Sequence, residues 1–472
     1  MNHSDKHCDL AGASACCRLF DALLDASKRV SACFSALSLA LILGCSDGSD
    51  GGTTTAVVGP LEFAVGTTSR TYVDGSRTTD AHANVPEAAT RTLDTLILYP
   101  AEGSFGDPVA TDAPVDRWGA PYPLVVLAHG LGGNAQGLLA LGEVWASRGY
   151  VVVLPQFPLT NSATPGGPVG QDTQNQPGDV SFLIDEVLAE SSQSGQLFSD
   201  VVNGDQIAVS GHSNGGITTF GLIAHSCCKD SRLDAAIVLS GVNSPFAGGE
   251  YNLSDTPPTF VVHGVFDLPL AYNQAVRTYN ELSPIKGLLT LEQADHTSYL
   301  GADDVSFDAS AQATADFLDA QIRGDTDALE RLPTYVIPEL ASISWVPDDA
   351  ANRPVEPLPE PETNRQASLS EDSNLVDGQT IVVSWSGFLP DTVVSILQCA
   401  GDGRDQASCN IAGGRVLVPD PLGMGSLDLV IRTGAIGNGV CDSANPCTIV
   451  VNDASLIEDE ANVRIPITFR DD

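Results

Sequence analysis

An α/β domain with a mostly parallel sheet, followed by an all-β sandwich, is the architecture predicted by the 472-residue sequence. Three observations predict it. From about Leu61 to about Gly324, short apolar runs alternate with longer helical patterns, as in a parallel sheet covered on both faces. From Asp348 to Arg365 the composition turns to Pro and Glu, which reads as a semi-rigid polyproline spacer of about 3 Å per residue. Beyond it, short alternating runs separated by Gly, Pro, Asp and Asn turns read as a β-sandwich. With 22 Lys and Arg against 60 Asp and Glu, the net charge of −38 excludes a nucleic-acid partner and disfavours anionic substrates.

The chain begins with an address. Lys28 and Arg29 precede the apolar run Val30 to Leu43, which is too short to span a bilayer and reads as an export signal, residues 1–45. Its end, Leu41-Ile42-Leu43-Gly44-Cys45, resembles the lipobox of bacterial lipoproteins. That resemblance implies lipidation at Cys45, an anchor in the lipid bilayer and a cell-envelope location, with secretion as the alternative. The odd sequence before Lys28 suggests a true start further downstream. Residues 46–60 read as a flexible linker, 61–347 as the α/β domain, 348–367 as the Pro/Glu linker and 368–472 as the sandwich.

Strands are expected at Thr92–Tyr99, Leu124–Ala128, Tyr150–Leu154, Gln206–Ser210, Ala235–Leu239, Thr259–Val262 and Leu288–Glu292. Helices are expected near 134–148, 178–190, 214–225, 269–282 and 305–322. In the sandwich the expected strands are Thr380–Trp385, Val393–Gln398, Gly414–Val418, Ser426–Ile431, Thr448–Val451 and Val463–Phe469. In an exported protein Cys399 should pair with Cys409, and Cys441 with Cys447. No CxxC spacing supports a metal site, and the state of Cys227 and Cys228 stays open.

The pattern G-x-S-x-G occurs twice. The copy at Gly44–Gly48 has no strand before it. The copy at Gly211-His212-Ser213-Asn214-Gly215 follows a strand and precedes an apolar helix, the context of a nucleophile elbow. A nucleophilic serine needs a base and the base an orienting carboxylate. Asp267 lies just past one buried strand and His296 just past the next, in the order Ser, acid, His; Asp295 is the weaker acid candidate. The oxyanion requires two backbone donors, expected at the amides of Asn214 and, from the loop His129-Gly130-Leu131-Gly132-Gly133, of Leu131. Gly130-x-Gly132-x-x-Ala135 also fits a dinucleotide fingerprint, but the next strand ends in Pro155 and Gln156 without the acid that a ribose needs. His129, His212 and His263, each beside a glycine, are expected to hold loops by hydrogen bonds.

At these residues the sequence resembles a known superfamily. Residues 92–323 look like α/β-hydrolases, specifically compact esterases related to platelet-activating-factor acetylhydrolases, chlorophyllase-like proteins and cutinase-type polyester hydrolases. The resemblance rests on the elbow, the HGLGG loop, the contexts of Asp267 and His296, and the helix around Gln176–Asp185. It implies an eight-stranded, mostly parallel sheet and serine ester hydrolysis by Ser213, His296 and Asp267, without metal or cofactor. Asn214 departs from the Met that commonly follows the serine in polyester hydrolases. Residues 368–472 resemble the neocarzinostatin family of antibiotic apoproteins through Asp377-Gly378-Gln379-Thr380, Ser386-Gly387-Phe388 and the two cysteine loops, implying an immunoglobulin-like sandwich. Only 241–258 separates two adjacent strands, too little for a cap domain, so an open site edged by Phe246, Tyr251, Phe266 and Tyr299 is expected. The partner is then an ester substrate, and the protein is expected to be a monomer. The reading of another class is a surface ligand- or polymer-binding lipoprotein with a vestigial hydrolase domain.

Overall fold

The computed structural model describes residues 62–470 apart from 84, 245–247, 359–363, 389–393, 405–407, 411–413, 418–422 and 453–461. The expected export signal, Cys45, the expected linker 46–60 and Phe246 lie outside the described residues. Among the described residues, no helix is long and apolar enough to cross a membrane.

The N-terminal part is a ten-stranded mixed sheet. Its strands are β1 (Ala64–Asp74), β2 (Arg91–Ala101), β3 (Ala110–Thr111), β4 (Tyr122–Ala128), β5 (Val151–Gln156), β6 (Val202–His212), β7 (Ala235–Leu239), β8 (Thr259–Gly264), β9 (Lys286–Leu291) and β10 (Ala341–Val346). Their spatial order is β10-β9-β8-β7-β6-β4-β5-β2-β1-β3. Strands β4 to β9 pair in parallel, while β2 joins β5, and β10 joins β9, in antiparallel fashion. The expectation of eight strands is corrected to ten: the two-residue β3 and the strand β10 extend the two edges. A β-strand sends successive side chains to opposite faces, and β4 displays it. Leu124 and Val126 point into one core, Val125 and Leu127 into the other.

Helices cover both faces. They are α1 (Leu139–Ser147), α2 (Gln176–Ser191), α3 (Asn214–Ala224), α4 (Tyr272–Glu281), α5 (Phe307–Ile322) and the short α6 (Thr326–Arg331). Val180, Leu183 and Val187 of α2, Phe220 and Ile223 of α3, and Val276 and Tyr279 of α4 fill the first core. Leu141 and Trp145 of α1 and Phe317 and Leu318 of α5 fill the second. Each such fully buried side chain contributes about 1.5–3 kcal/mol before conformational entropy is set against it.

A buried ion cluster ties β2 to the segment that enters α2. Arg91, fully buried, donates to Asp172 at 2.8 and 2.9 Å and to Asp179 at 2.7 Å from two of its nitrogens. Burial alone would push the Asp179 carboxyl up, and it does so despite the opposing pull of Arg91 and Arg77.

The first part of the Pro/Glu stretch, expected as a semi-rigid spacer, runs along α4. Asn280 of α4 accepts from Val355 N–H (2.9 Å) and donates to Val355 C=O (3.0 Å); Asn273 does the same for Leu358, at 2.8 and 2.9 Å. Residues seven apart on a helix share a face, so two asparagine amides offer the passing backbone the donor and acceptor that a neighbouring strand would. Val355 packs against the core beneath.

The C-terminal part holds small antiparallel sheets. One comprises β11 (Gln366–Leu369), β12 (Thr380–Ser386) and β15 (Gly425–Val430). Another comprises β14 (Arg415–Leu417), β13 (Val394–Ala400), β18 (Cys447–Asn452) and β19 (Val463–Ile467). The hairpin of β16 (Gly434–Ile436) and β17 (Gly439–Cys441) completes them. Ile381, Val383, Trp385, Ile396, Ile449 and Ile467 belong to their common core. Cys399 is bonded to Cys409 and Cys441 to Cys447.

Candidate active site

At the end of β6 the chain turns sharply into α3, with Ser213 at the corner. Its φ of 55° and ψ of −116° are unusual for a residue with a side chain. The turn is over-determined by its surroundings. Ser213 N–H donates to Leu239 C=O at 2.8 Å, and Ile217 N–H donates to Ser213 C=O at 3.0 Å. A Cβ on Gly215 would lie 2.6 Å from the Ala128 carbonyl carbon and 2.9 Å from the His129 oxygen, and one on Gly216 would lie 2.8 Å from Gly241 Cα. Only glycine lets the helix start this close to two neighbouring strand ends.

Three side chains from three strand ends meet here. Ser213 Oγ is 2.8 Å from His296 Nε2, and His296 Nδ1 is 2.8 and 2.9 Å from the two oxygens of Asp267. Asp267 is buried and accepts from more than His296. Leu270 N–H donates to Oδ1 at 2.9 Å, and His263 Nε2 lies 3.1 Å from Oδ2. Burial would raise the Asp267 pKa, but the hydrogen bonds from His263 and His296 overcome it and hold the carboxyl well below its usual range. An ionised Asp267 keeps the His296 ring proton on Nδ1, leaving Nε2 as the acceptor that faces the serine hydroxyl.

The other candidate acid is occupied elsewhere. Asp295 Oδ1 accepts from Thr297 and Ser298 N–H, both at 2.8 Å, and so caps the turn that carries His296. Two of the histidines expected to hold loops hold this site. His212 Nε2–H donates to His296 C=O at 2.7 Å, with the two rings 4.8 Å apart. Burial first, then the proximity of His296, pushes His212 down to about 4, so it is neutral at pH 7. His263 shares its Nε2–H between Asp267 and Leu270 C=O, 2.7 Å away. His129 bridges its own loop, with Nδ1 on Gly130 C=O at 2.7 Å and Nε2 accepting from Phe157 N–H at 3.2 Å. A histidine before the glycine of a strand end was the only sequence signal for His263, and it does not distinguish a loop brace from a carboxylate partner.

The loop after β4 passes beside the serine. A Cβ on Gly130 would stand 3.0 Å from Ser213 Cβ. Gly132 (φ 72°) donates N–H to Thr160 C=O at 2.7 Å, Gly133 donates to Gly130 C=O at 2.9 Å, and Ser162 N–H donates to Gly133 C=O at 2.9 Å. Among the described residues no acceptor faces the N–H of Leu131 or of Asn214. The Asn214 side chain is held by Thr173, whose hydroxyl donates to Oδ1 at 2.9 Å.

The expected rim is only partly there. Phe266, beside Asp267, is 60% exposed. Tyr299 is corrected to the interior: it is fully buried and donates its hydroxyl to Ser240 Oγ at 3.0 Å. Tyr251 is corrected as well. It pairs with His225 at the far end of α3, about 18 Å along the helix from Ser213, and its hydroxyl donates to Ser244 C=O at 2.6 Å. Sequence places aromatic residues near a site without telling which way they turn. The described residues of 241–258 contain no helix and no strand.

A serine on a strand-to-helix corner, backed by a histidine and a buried carboxylate at the ends of neighbouring parallel strands, is an arrangement chemically suited to nucleophilic attack on an ester carbonyl. Residues 101–269 match the chlorophyllase family, and residues 367–469 match the neocarzinostatin family. Among solved structures, a ferulic acid esterase from Streptomyces cinnamoneus is similar at 22% identity and a TM-score of 0.46, covering 61% of this chain and 98% of that one. None of the curated proteins matches.

Proposed function

We propose that the chain is a serine carboxylic-ester hydrolase, exported and anchored in the cell envelope through Cys45. The observation that carries the reading is the unbroken hydrogen-bonded series Ser213–His296–Asp267 on the elbow. Ser213 Oγ attacks the ester carbonyl as His296 Nε2 takes its proton. The imidazolium formed is stabilised by Asp267 and then protonates the leaving alcohol. The amides of Leu131 and Asn214 receive the oxyanion, a contribution of about 3–4 kcal/mol to the barrier for a single donor of this kind. Water, activated by the same histidine, releases the acid. No step calls for a metal or cofactor.

The absence of helix and strand among the described residues of 241–258 supports a site without a cap domain. Short-to-medium acyl esters at monomeric concentration are the proposed substrates, with polyesters as the narrower extension, and the acid excess disfavours anionic ones. Catalysis needs one chain only. The sandwich is assigned its fold and disulfides, and no ligand.

The test is the Ser213→Ala variant together with a fluorophosphonate probe. Turnover of p-nitrophenyl esters should vanish in a folded variant, and the label should appear on Ser213 of the natural protein. Activity unchanged in Ser213→Ala, or a label on another residue, would sink the mechanism.

A further inference from the structure

The far end of α3 carries a second group of reactive side chains that plays no part in ester hydrolysis. The helix runs out at His225, and the turn that follows presents Cys227 and Cys228. One nitrogen of His225 and the two sulfurs lie within 4.8 Å of one another. His225 Nδ1 is 2.9 Å from Cys227 Sγ and accepts the Cys227 N–H at 3.3 Å. An acceptor nitrogen carries no proton, so the ring proton sits on Nε2, and the single Nδ1 lone pair, which now takes the long bond from the Cys227 N–H, lies beside the sulfur and must give up that bond to hold a cation.

The backbone holds this arrangement from every side. Cys228 N–H and Lys229 N–H both donate to His225 C=O, at 3.1 and 3.0 Å. Ser226 N–H donates to Glu250 C=O at 3.0 Å, and Glu250 N–H returns a bond to Ser226 Oγ at 3.1 Å. Asn252 N–H donates to Ala224 C=O at 2.8 Å. The Tyr251 ring stands edge-on to the imidazole at 4.8 Å. A Cβ on Gly249 would lie 2.8 Å from His225 Cε1, so the strand of chain opposite is pressed against the ring. His225 is 1% exposed, whereas Cys227 is exposed, which leaves one side open to solvent.

Cys227 and Cys228 are bonded to each other. A bridge between neighbours in sequence closes no loop of chain, so the entropic stabilisation that a disulfide gives by restricting the unfolded state is nearly absent here. Nor does packing demand an imidazole lone pair at a sulfur. The same three groups are, however, a complete soft-donor set for a cation.

We propose that this turn is a redox-gated site for a thiophilic divalent cation of the zinc type, held by His225 Nδ1, Cys227 Sγ and Cys228 Sγ with water in the fourth position. A dithiol or phosphine reductant opens the site: the dithiol gives two electrons and two protons and becomes a disulfide, or the phosphine gives two electrons and takes the oxygen of one water whose two protons go to sulfur, and in either case the sulfur–sulfur bond becomes two thiols. The cation then takes both sulfurs as thiolates, releasing two protons to solvent. Tetrahedral coordination needs the nitrogen and sulfurs about 3.5–3.8 Å apart. The 2.9 Å separation of His225 Nδ1 and Cys227 Sγ therefore widens by well under 1 Å, which rotation of two cysteine side chains at an open turn supplies. In the oxidised protein the sulfurs are spent on each other and the site is closed. Sequence reading finds no metal site because the spacing His-x-Cys-Cys matches no familiar pattern; the turn that folds the ring back over the sulfurs is visible only in the structure.

The experiment is a cobalt titration of the full chain, reduced with a phosphine under argon and freed of reductant. One equivalent of Co2+ should produce sulfur-to-cobalt charge-transfer absorption and the visible bands of tetrahedral cobalt, and Zn2+ should bleach them. The unreduced protein should give neither. Cys227→Ser and Cys228→Ser should each abolish the signal although they retain every other cysteine, and His225→Ala should weaken binding at least tenfold. No absorption in the reduced natural protein overturns the proposal. So does a signal that survives Cys227→Ser, which would assign the metal to other cysteines, or a His225→Ala variant that binds as tightly as the natural chain. The readout is optical and stands whether or not Ser213 hydrolyses esters.

Discussion

Replacing Asp267 by Asn tests the site at its most constrained point. Leu270 N–H points at Oδ1 from 2.9 Å, so the amide oxygen of Asn must take that place and the amide nitrogen the place of Oδ2. There the new N–H2 meets His263 Nε2, 3.1 Å from the replaced oxygen, and His296 Nδ1, 2.8 Å from it. His263 is committed as a donor to Leu270 C=O, so the amide turns its hydrogen to His296 Nδ1, which becomes an acceptor. The ring proton moves to Nε2 and faces Ser213 Oγ, where a base is needed. A wrong tautomer of this kind costs about 10⁴-fold in kcat, roughly 5.5 kcal/mol of barrier, while the backbone stays in place. Steady-state hydrolysis of a p-nitrophenyl ester by Asp267→Asn measures it, with circular dichroism to establish folding. Asp295→Asn is the control and should stay within tenfold, since Asp295 caps a turn and does not touch the ring. A loss below tenfold in Asp267→Asn, or a larger loss in Asp295→Asn, would refute the assignment of the orienting carboxylate.

His212, held at about 4 in the fold against about 6.5 when unfolded, binds its proton more readily in the unfolded chain. Its contribution is therefore complete above pH 6.5 and lost as pH falls toward 4, by about 3 kcal/mol, and denaturant titrations across that range should show a flatter pH dependence in His212→Gln. A methyl group on Gly215 has only the Ala128 and His129 carbonyls to occupy, so Gly215→Ala should cost at least about 1–3 kcal/mol in urea unfolding and most of the activity. Arg91→Met leaves Asp172 buried without a counter-charge and Asp179 with Arg77 alone, a loss of about 3–5 kcal/mol near neutral pH; calorimetry should find it shrinking in acid as the carboxylates take up protons.

What could be read from sequence follows from how each element is stabilised. Strands β4 to β9 are buried on both faces and so appear as apolar runs, and the elbow carries its glycines on its sleeve because no other residue fits between Ala128 and Gly241. Strand β1 escaped notice because AVGTTSRTYVD earns its place through eleven residues of pairing with β2, its Thr and Ser positions giving no apolar alternation. Strand β10 is an edge of six residues whose middle is only half-buried. Ser213, Asp267 and His296 were legible because strand ends and motif order fix them. The roles of His263 and Thr173 were not, since both depend on which side chain lies opposite in space. Tyr251 and Tyr299 failed as rim residues for the same reason.

The asparagine ladder along α4 decides where the hydrolase part of this chain can be cut. A protein shortened to end at Val346 keeps every strand and helix of the sheet, yet it takes the Leu358 backbone from Asn273 and the Val355 backbone from Asn280, and uncovers the patch that Val355 covers. One that ends just after Leu358 keeps both amides paired. The seam between the two halves is thus set by two side chains of a helix rather than by the change in composition, and the prolines around Val355 are, in effect, the last turn of wrapping on the enzyme.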